Sequence, residues 1–509
     1  MERRRYPIGQ RRKIMNLPNI KLTNKTIENV AKNSSIITPK YNRENTEIGI
    51  VHLGPGAFHR AHQAVYTENA MNLAGGNWGI CGVSLRSATA RDVLTKQDIL
   101  YTLAILDKEI NYQVIGAIKE VLVASEQSQQ VISRLESPNT KLVTLTITEK
   151  GYCLGADGRL DLQHADIIHD LKKPSLPSSA IGYIVHGLRQ RRINGTPAFN
   201  VLSCDNVSGN GDKLRCAVID YAAQLDDDFA NWIGTNVAFP NAMVDSITPK
   251  TEDYTVDSVS SAIGVRDEWP IQREQFTQWV IEDNWNGERP AWDKVGVVFT
   301  SDVDGFEKAK LRLLNCLHST LAYAGSLAGF ETVFDVTSDS AFYDFICQLA
   351  KEEVIGSFVP PKELDVESYS KEIIERFLNP EIRHLLAQIA WDGSQKIQMR
   401  ILPIIEDNLS LGRSTKLLSL SLACWFEFIC RALKENKEIV DPLAEEFASM
   451  PALLSSDSAE VINAFLSIES VFGQELKNNS ALVSQLVKSL SALRIGEISK
   501  ISSVVEKLC

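Results

Sequence analysis

Short apolar runs alternate with longer helical stretches between residues 48 and 300. The first run, IGIVHLG from Ile48, leads through a glycine-containing turn into HRAHQAVYTENAMN. Further strand candidates are WGICGVSL, KLVTLTITEKGYC and FNVLSCDN. Strands that alternate with helices are typical of βαβ units, so the pattern predicts an α/β domain with a parallel sheet over residues 46–300.

From residue 301 onward glycine thins out, and long segments with helical periodicity follow one another. These segments are 304–329, 338–355, 367–390, 416–436, 457–472 and 480–507. The second half is therefore predicted to be a mainly α-helical domain over residues 301–509. Its most apolar run, Leu417–Phe426, is about ten residues long, which is too short to span a bilayer and indicates a buried helix.

Residues 1–45 are polar, and the first fourteen, MERRRYPIGQRRKI, are rich in arginine. They have no long apolar stretch, so we do not expect them to form a secretory signal. We expect residues 1–45 to be a disordered or loosely docked extension, with a targeting segment as the less favoured alternative. Deleting residues 1–14 should change neither fold nor activity, because these residues have no apolar set with which to dock.

The composition narrows the class of partner. The 509 residues are 44% hydrophobic and 23% charged, with a net charge of −11 and no long basic stripe in the body of the chain, which argues against nucleic acid and membrane partners. The nine cysteines form no CxxC pair. We therefore expect no zinc site and no disulfide framework, and a reducing, cytoplasmic location.

The turn after the first apolar run has features of a dinucleotide site. Gly54-Pro55-Gly56 lies between a strand and a helix start, where glycines permit a tight turn and backbone N–H groups can approach a pyrophosphate. The full GxGxxG pattern would require a third glycine, and His59 stands there. The residues alone leave a cofactor turn and an ordinary βα turn equally open. His59 and His62 could pair on a metal, but packing roles are favoured.

The second strand should end near the adenosine ribose, where NAD-binding folds usually place an acid. The first acid here is Asp92, so the choice between NAD and NADP stays open. The candidate cofactor-binding residues are Gly54, Gly56, Ala57, Phe58, His59, Arg60 and, after the second strand, Arg86.

Four reactive side chains lie within FEKAKLRLLNCLHS, residues 306–319. With Lys310 at zero on an ideal helix, Glu307 lies at about 60°, His318 at about 80° and Asn315 at about 140°. All four share one arc with several leucines. Burial disfavours a charged ammonium, so a lysine in such a setting can become a general base. The asparagine and the histidine could hold an alcohol or ketone oxygen, and the glutamate could exchange protons with solvent. The alternative, slightly favoured by geometry alone, is the ordinary polar edge of a packed helix.

Six spaced motifs resemble the polyol-specific long-chain dehydrogenase/reductase family, also called the mannitol dehydrogenase family. They are VHLGPGAFHRAHQA, TLTITEKGYC, SCDNVSGNG, FPNAMVDSITP, WVIEDNWNGERPAWDKVG and the Lys-x4-Asn-x2-His of residues 310–318. They occur in the family's order over residues 48–400. The resemblance implies a Rossmann-type N-terminal domain, a helical C-terminal domain, a site between them, and metal-free hydride transfer with NAD, NADP not being excluded.

The resemblance also assigns roles. Lys310 matches the catalytic lysine, and Asn315 and His318 match its helix partners. In the first half, Asn206 matches an asparagine that binds the reacting oxygen, and Asp245 matches a substrate contact. Glu307 matches a glutamate linked to proton exchange. The chain departs from the family in having Ser246 where an arginine is expected.

Several motifs are closer to the fructuronate reductases of this family than to its mannitol dehydrogenases. TEKGY has Lys150 where mannitol enzymes tend to have glycine, and RFLNPEIRHLLAQIAWDGSQK leans the same way. A uronate carboxylate can pair with a cation, for which the candidates are Lys150, Arg383, His384, Lys396 and Arg400. Each could instead form an ordinary salt bridge.

The expected activity is NAD(P)-dependent interconversion of D-fructuronate and D-mannonate. The alternatives are mannitol 2-dehydrogenase activity on mannitol and fructose, or a catalytically inactive relative that binds a nucleotide or a sugar acid. The presence together of five of the matched polar residues, Lys310, Asn315, His318, Asn206 and Asp245, speaks against the inactive relative. The expected partner is a small sugar acid or polyol, and the oligomeric state is left open.

Overall fold

The computed structural model describes residues 18–496 together with Ile501, Val504 and Val505. The chain divides into two compact units, Met1–Val303 and Asp304–Cys509. We call them the first and the second unit. The division falls three residues after the boundary expected from the sequence, directly after the first residue of the helix that begins the helical half.

The first unit contains the strands. They are β1 (Ile48–Leu53), β2 (Gly79–Ser84), β3 (Tyr101–Leu106), β4 (Asn111–Ile115), β5 (Ile118–Val123), β6 (Leu142–Leu145), β7 (Asn200–Ser203), β8 (Ala242–Asp245), β9 (Ile271–Glu274), β10 (Gln278–Glu282) and β11 (Val298–Thr300). Its helices are α1 (Ile27–Ala31), α2 (Ala57–Ala61), α3 (Gln63–Ala74), α4 (Thr89–Leu94), α5 (Ala124–Glu136), α6 (Ala165–Lys172), α7 (Ala180–Ile193), α8 (Asn210–Ala223), α9 (Asp227–Asn236) and α10 (Asp253–Ile263). Single 3₁₀ turns occur at Thr95–Gln97, Glu149–Tyr152 and Trp292–Val295.

The main sheet has the order β5-β2-β1-β6-β7, and all its neighbouring strands are parallel. In β1, Val51 pairs with Cys81 of β2 on one side and with Val143 of β6 on the other. This order matches the first five strands of a Rossmann sheet, 3-2-1-4-5. In such a sheet the direction of winding reverses between the strands that are here β1 and β6. The predicted parallel α/β domain is confirmed. Helices cover both faces, because the strands are apolar throughout and must be buried on each side.

Two smaller sheets complete the first unit. One has the order β11-β10-β8, with β8 antiparallel to β10, and the other has the order β4-β3-β9, with β3 antiparallel to β4. The predicted strand over KLVTLTITEKGYC is shorter than expected. It ends at Leu145, because the following loop turns away and reaches a positive φ of 63° at Thr148.

The expected loose extension over residues 1–45 is wrong for its described part. Leu22, Val30 and Ile36 are buried in a cluster with residues of β3, β4 and α10. The guanidinium of Arg43 donates to the carbonyls of Gly116 and Ile118 at the start of β5. A polar segment can thus be anchored by a few well-spaced apolar residues and one arginine. Residues 1–17, including the basic segment 1–14, lie outside the described residues.

We expect Leu22→Ala to lower the melting temperature by several degrees, because deleting a fully buried leucine side chain costs about 2–5 kcal/mol. Ile20, two residues earlier, is 59% exposed, so Ile20→Ala should change stability by less than about 0.5 kcal/mol. Differential scanning fluorimetry on both variants measures the difference. Equal melting temperatures would show that the segment does not contribute to folding.

The second unit is helical. It contains α11 (Val303–Lys310), α12 (Cys316–Leu327), α13 (Val333–Thr337), α14 (Ser340–Leu349), α15 (Val366–Phe377), α16 (Leu386–Ala390), α17 (Gly393–Arg400), α18 (Leu402–Ser410), α19 (Lys416–Lys434), α20 (Ala444–Ala448), α21 (Ser458–Leu466), α22 (Glu469–Asn478) and α23 (Ser480–Ile495). The described residues of this unit include two π turns, Leu311–Asn315 between α11 and α12, and Ala350–Val354 after α14. The 3₁₀ turns are Ile355–Ser357 and Pro451–Leu454.

The mainly helical second half is confirmed, although two of the predicted segments are each broken into two separate helices. The segment 367–390 breaks after Phe377, because Pro380 lacks an N–H and disfavours helical geometry at Asn379. The segment 457–472 breaks between α21 and α22. The apolar run Leu417–Phe426 is buried within α19, as predicted. In the part of the chain that the structure describes, no helix combines the length and the apolar character needed to cross a membrane.

Candidate active site

The turn after β1 requires glycine at one position and leaves space at another. Gly54 has a φ of +92°, and a Cβ there would lie 2.2 Å from the carbonyl oxygen of Thr146. Its N–H donates to the carbonyl of Val83 at 2.9 Å, which ties the turn to β2. A Cβ at Gly56 would meet only the Gly54 carbonyl oxygen, at 3.8 Å. The turn is thus pressed against β6 on one side and open on the other.

Two stacked histidines lie beneath this turn. His52 of β1 is fully buried, and its Nε2 donates to the Gly54 carbonyl at 3.1 Å while its Nδ1 lies 2.7 Å from Thr144 Oγ1. The ring of His59 stacks on it with centroids 3.4 Å apart. Burial lowers the pKa of His52 to about 3 and that of His59 well below its usual value. Both rings are therefore neutral at pH 7, and His52 holds the turn in place. Sequence reasoning missed His52, although a histidine inside an apolar strand is a visible signal.

The other candidate cofactor residues differ in exposure: Ala57 and Phe58 are at least partly exposed, whereas Arg60 is buried. Ala57 is exposed and Phe58 half-buried, with Phe58 stacked on His62 at 4.9 Å. The side chain of Arg60 is buried, lies over the Trp269 ring at 3.8 Å and donates to the Trp269 carbonyl, so these contacts give its predicted cofactor role no support. The Nε2 of His62 lies 3.0 Å from the Gln278 carbonyl oxygen.

Arg86 follows β2 by two residues, at the carboxyl edge of the sheet. Its side chain is 82% exposed and pairs with the carboxylate of Asp166 on α6 at 2.8 Å. This edge, beside the first strand, is where Rossmann sheets place the adenosine ribose. The Gly54–Gly56 turn lies at the same edge, at the carboxyl end of β1, where the winding of the sheet reverses. The residues present therefore fit a dinucleotide, with the open glycine available to a pyrophosphate.

Asp205 organises the loop that follows β6. Its carboxylate accepts hydrogen bonds from the N–H groups of Ile147 at 3.1 Å and Thr148 at 2.8 Å, and from the Tyr152 hydroxyl at 2.9 Å. Burial raises the pKa of Asp205, and these three hydrogen bonds act in the opposite direction. These three hydrogen bonds, which we call the Asp205 clamp, fix the 3₁₀ turn Glu149–Tyr152. Lys150 lies in this turn and is exposed. Sequence reasoning missed Asp205, the residue before Asn206.

Asn206 follows β7 and Asp245 ends β8, and a buried asparagine, Asn210, joins the loop after β7 to the first residue of β8. Asn210 donates to the carbonyls of Asp205 and Ala242, at 2.9 and 2.7 Å, and accepts from the Ala242 N–H. Asn206 lies on the loop after β7, and Asp245 is the last residue of β8 and is buried. Ser246, which departs from the family pattern, bonds the Phe276 carbonyl at 3.0 Å.

The helix that carries Glu307, Lys310, Asn315 and His318 is not a continuous α-helix. Lys310 ends α11, and a π turn follows in which the Cys316 N–H donates to the Leu311 carbonyl. A π turn holds one more residue than an α turn, so later residues are rotated back by about 100°. Asn315 then lies at about 40° from Lys310 and His318 at about −20°. The arc occupied by the four side chains narrows from about 140° to about 80°, which brings them closer to one face than the sequence predicted.

His318 lies in a packed, cationic environment within the second unit. Its ring stacks on Phe377 at 4.7 Å and meets the edge of His384 at 4.9 Å. Burial, followed by the neighbouring His384 and Arg376, holds the pKa of His318 well below its usual value. The ring is thus neutral at pH 7, which suits orientation of a hydroxyl better than proton donation. Arg400 approaches the same helix by donating to Ser319 Oγ at 3.1 Å.

Not every predicted cation joins this group. Arg383 pairs with Glu331 at 2.7 Å, and both side chains are 69% exposed, so this ion pair gives the predicted substrate contact of Arg383 no support. Lys396 donates to the Ile389 carbonyl at 3.1 Å. His384 and Arg400 are the predicted cations that lie beside His318. Arg376, also close to it, was missed by sequence reasoning.

Comparison with known proteins identifies the family. Residues 48–294 match the mannitol dehydrogenase Rossmann domain, and residues 302–494 match the mannitol dehydrogenase C-terminal domain. The chain belongs to the mannitol dehydrogenase family. It is an oxidoreductase, and the resemblance found in its motifs is confirmed.

The family members that are similar to this chain include enzymes with different names. It is 40% identical over 472 residues to the D-mannonate oxidoreductase of Escherichia coli K12, covering 91% of this chain and 97% of that protein. It is 36% identical to the mannitol 2-dehydrogenase of Phaeosphaeria nodorum, and the match covers 92% of this chain and 83% of that protein. The structure of Pseudomonas fluorescens mannitol 2-dehydrogenase with NAD and D-mannitol matches with a TM-score of 0.75 and 36% identity, over 96% of this chain and 99% of that one.

Proposed function

We propose that the protein interconverts D-fructuronate and D-mannonate by NAD-dependent hydride transfer. The observation that carries the proposal is the 40% identity to a D-mannonate oxidoreductase over nearly the full length of both chains. Mannitol 2-dehydrogenase is the alternative, favoured by the 36% identity to enzymes of that name. Both activities oxidise a secondary alcohol, so they share their proton and hydride chemistry and differ in whether the substrate has a carboxylate.

The first unit is the proposed NAD-binding unit. The turn at Gly54 and Gly56 would hold the pyrophosphate on its open side, and Ala57 and Phe58 would flank it. His59 packs beneath the turn as a neutral ring. NAD supplies a hydride acceptor when bound. Asp166 neutralises Arg86 near the expected ribose, which favours NAD over a cofactor with an extra phosphate.

The second unit supplies the proposed proton transfer. Lys310 removes the proton from the hydroxyl oxygen during oxidation and returns it during reduction. Asn315 cannot titrate, so it orients that oxygen without competing for the proton. Neutral His318 does the same from the following turn. Glu307, on the same face, exchanges protons with solvent.

Substrate contacts are proposed for both units separately. In the first unit they are Asn206, Asp245 and Lys150, and in the second His384 and Arg400. Lys150 is the first choice for a carboxylate contact, because the Asp205 clamp fixes its turn at the carboxyl edge of the sheet. α/β folds place ligands at this edge.

One assay tests the proposal. NADH oxidation is measured with fructuronate and with fructose side by side, and repeated with NADPH. We expect the highest kcat/KM for fructuronate with NADH. A preference for fructose would support the mannitol dehydrogenase alternative and overturn the sugar-acid assignment.

Lys150→Gly should lower kcat/KM for fructuronate by about ten- to a hundredfold, because a charge-assisted hydrogen bond contributes on the order of 1.5–3 kcal/mol. Residual activity on fructose, which has no carboxylate, should be unchanged. Arg383→Met is the matched control, since that exposed ion pair should not affect either substrate. Equal losses on both substrates would make Lys150 a structural residue.

A further inference from the structure

The π turn between α11 and α12 is held by a buried arginine at its second position. Arg312 is 5% exposed. Its Nη1 donates to the Ser357 carbonyl at 2.6 Å and to Ser357 Oγ at 2.9 Å, and its Nη2 forms an ion pair with the Asp407 carboxylate on α18. Three oxygens from two other segments therefore bind one guanidinium, whose planar geometry fixes their relative positions.

The anchor of Arg312 is itself tied down. Ser357 Oγ donates to the Val354 carbonyl at 2.7 Å, in the second π turn. Asn408, next to Asp407, donates to the carbonyl of Glu353 in the same π turn at 2.7 Å. The Glu353 carboxylate accepts the N–H groups of Leu417 and Leu418 at the start of α19. The two π turns and the beginnings of the surrounding helices thus form one hydrogen-bonded frame around Arg312.

A π turn is a rare, locally unfavourable insertion that often occurs at functional sites. Here it determines how far Asn315 and His318 rotate relative to Lys310. We propose that Arg312 is a positioning residue, which keeps the π turn in register and thereby aligns Lys310, Asn315 and His318 for the reaction. The proposal depends on the proposed function for the role of Lys310, and it adds a residue that touches none of the reacting atoms.

The test uses Arg312→Met, which keeps most of the side-chain volume and removes all the donors. In its crystal structure we expect the Cys316 N–H to leave the Leu311 carbonyl. We expect kcat to fall by about ten- to a hundredfold, since misplacement by about 1 Å can cost this much, with little change in KM for NADH. A crystal structure that keeps the π turn unchanged would overturn the proposal, whatever the activity.

Arg494→Met is the matched control. Arg494 of α23 also binds a buried carboxylate, Glu427, and two backbone carbonyls, those of Ser455 and Ser456. We expect a comparable loss of melting temperature but a kcat within about twofold of the wild type, because its partners do not hold the reactive face. Equal kcat losses in both variants would reduce Arg312 to a stabilising residue. If the wild type acted on fructose instead of fructuronate, only the proposed function would fail, since the register and the kcat ratio can be measured with either substrate.

Discussion

Replacing Lys310 with alanine is expected to lower kcat by about a hundredfold or more while the enzyme still binds NAD. Lys310 is buried at the end of α11, and the π turn places Asn315 and His318 on the same face. In the proposed reaction only Lys310 moves the substrate proton, because Asn315 cannot titrate and burial keeps His318 neutral. The loss should therefore appear in kcat, measured at saturating substrate near neutral pH, and NAD affinity should be unchanged in a fluorescence titration.

Lys308→Ala is the control for this result. Lys308 lies in the same helix two residues earlier, but its side chain is exposed. Its removal should leave kcat within about twofold of the wild type, as for most surface substitutions. If Lys310→Ala kept half of the wild-type kcat, Lys310 would not be the general base. Loss of NAD binding together with activity would instead indicate that the variant is misfolded.

The fold could be predicted because its signals are local and repeated. Each strand of the main sheet is a short apolar run followed by a helical stretch, and a parallel sheet buried on both faces needs that composition. The N-terminal segment was misjudged for the opposite reason. Leu22, Val30 and Ile36 are widely spaced in polar sequence, and their partners in β3, β4 and α10 are distant in the chain. Nothing near them shows that they will be buried.

The residues of the candidate site could be predicted from the sequence, but their arrangement in space could not. The polar residues of 307–318 are visible in the sequence, whereas the π turn depends on Arg312, whose partners Ser357 and Asp407 lie 45 and 95 residues away. Arg60 shows the opposite case, in which a residue close to the site in sequence lies away from it in the structure. It lies beside the cofactor turn in sequence, but the short helix α2 directs it into the core, over Trp269. Proximity along the chain does not specify which face of a helix a side chain occupies.

Gly54→Ala should impair both folding and NAD binding. A Cβ at this position would lie 2.2 Å from the Thr146 carbonyl oxygen, which belongs to the backbone and cannot move aside. The φ of +92° adds about 1–2 kcal/mol for any residue with a side chain. The turn must therefore shift away from β6, which also breaks its support by His52. We expect a fall in melting temperature of several degrees, and an NAD affinity lower by about tenfold or more, measured by calorimetry.

Gly56→Ala separates binding from folding at the same turn. Its Cβ would meet only the Gly54 carbonyl oxygen, at 3.8 Å, and its φ of −78° suits any residue, so the melting temperature should not change. The methyl group would instead fill the open side of the turn, where backbone must approach the pyrophosphate closely. We therefore expect a lower NAD affinity at unchanged stability. Wild-type affinity in this variant would show that the cofactor does not bind against the turn, even if Gly54→Ala had abolished activity through misfolding.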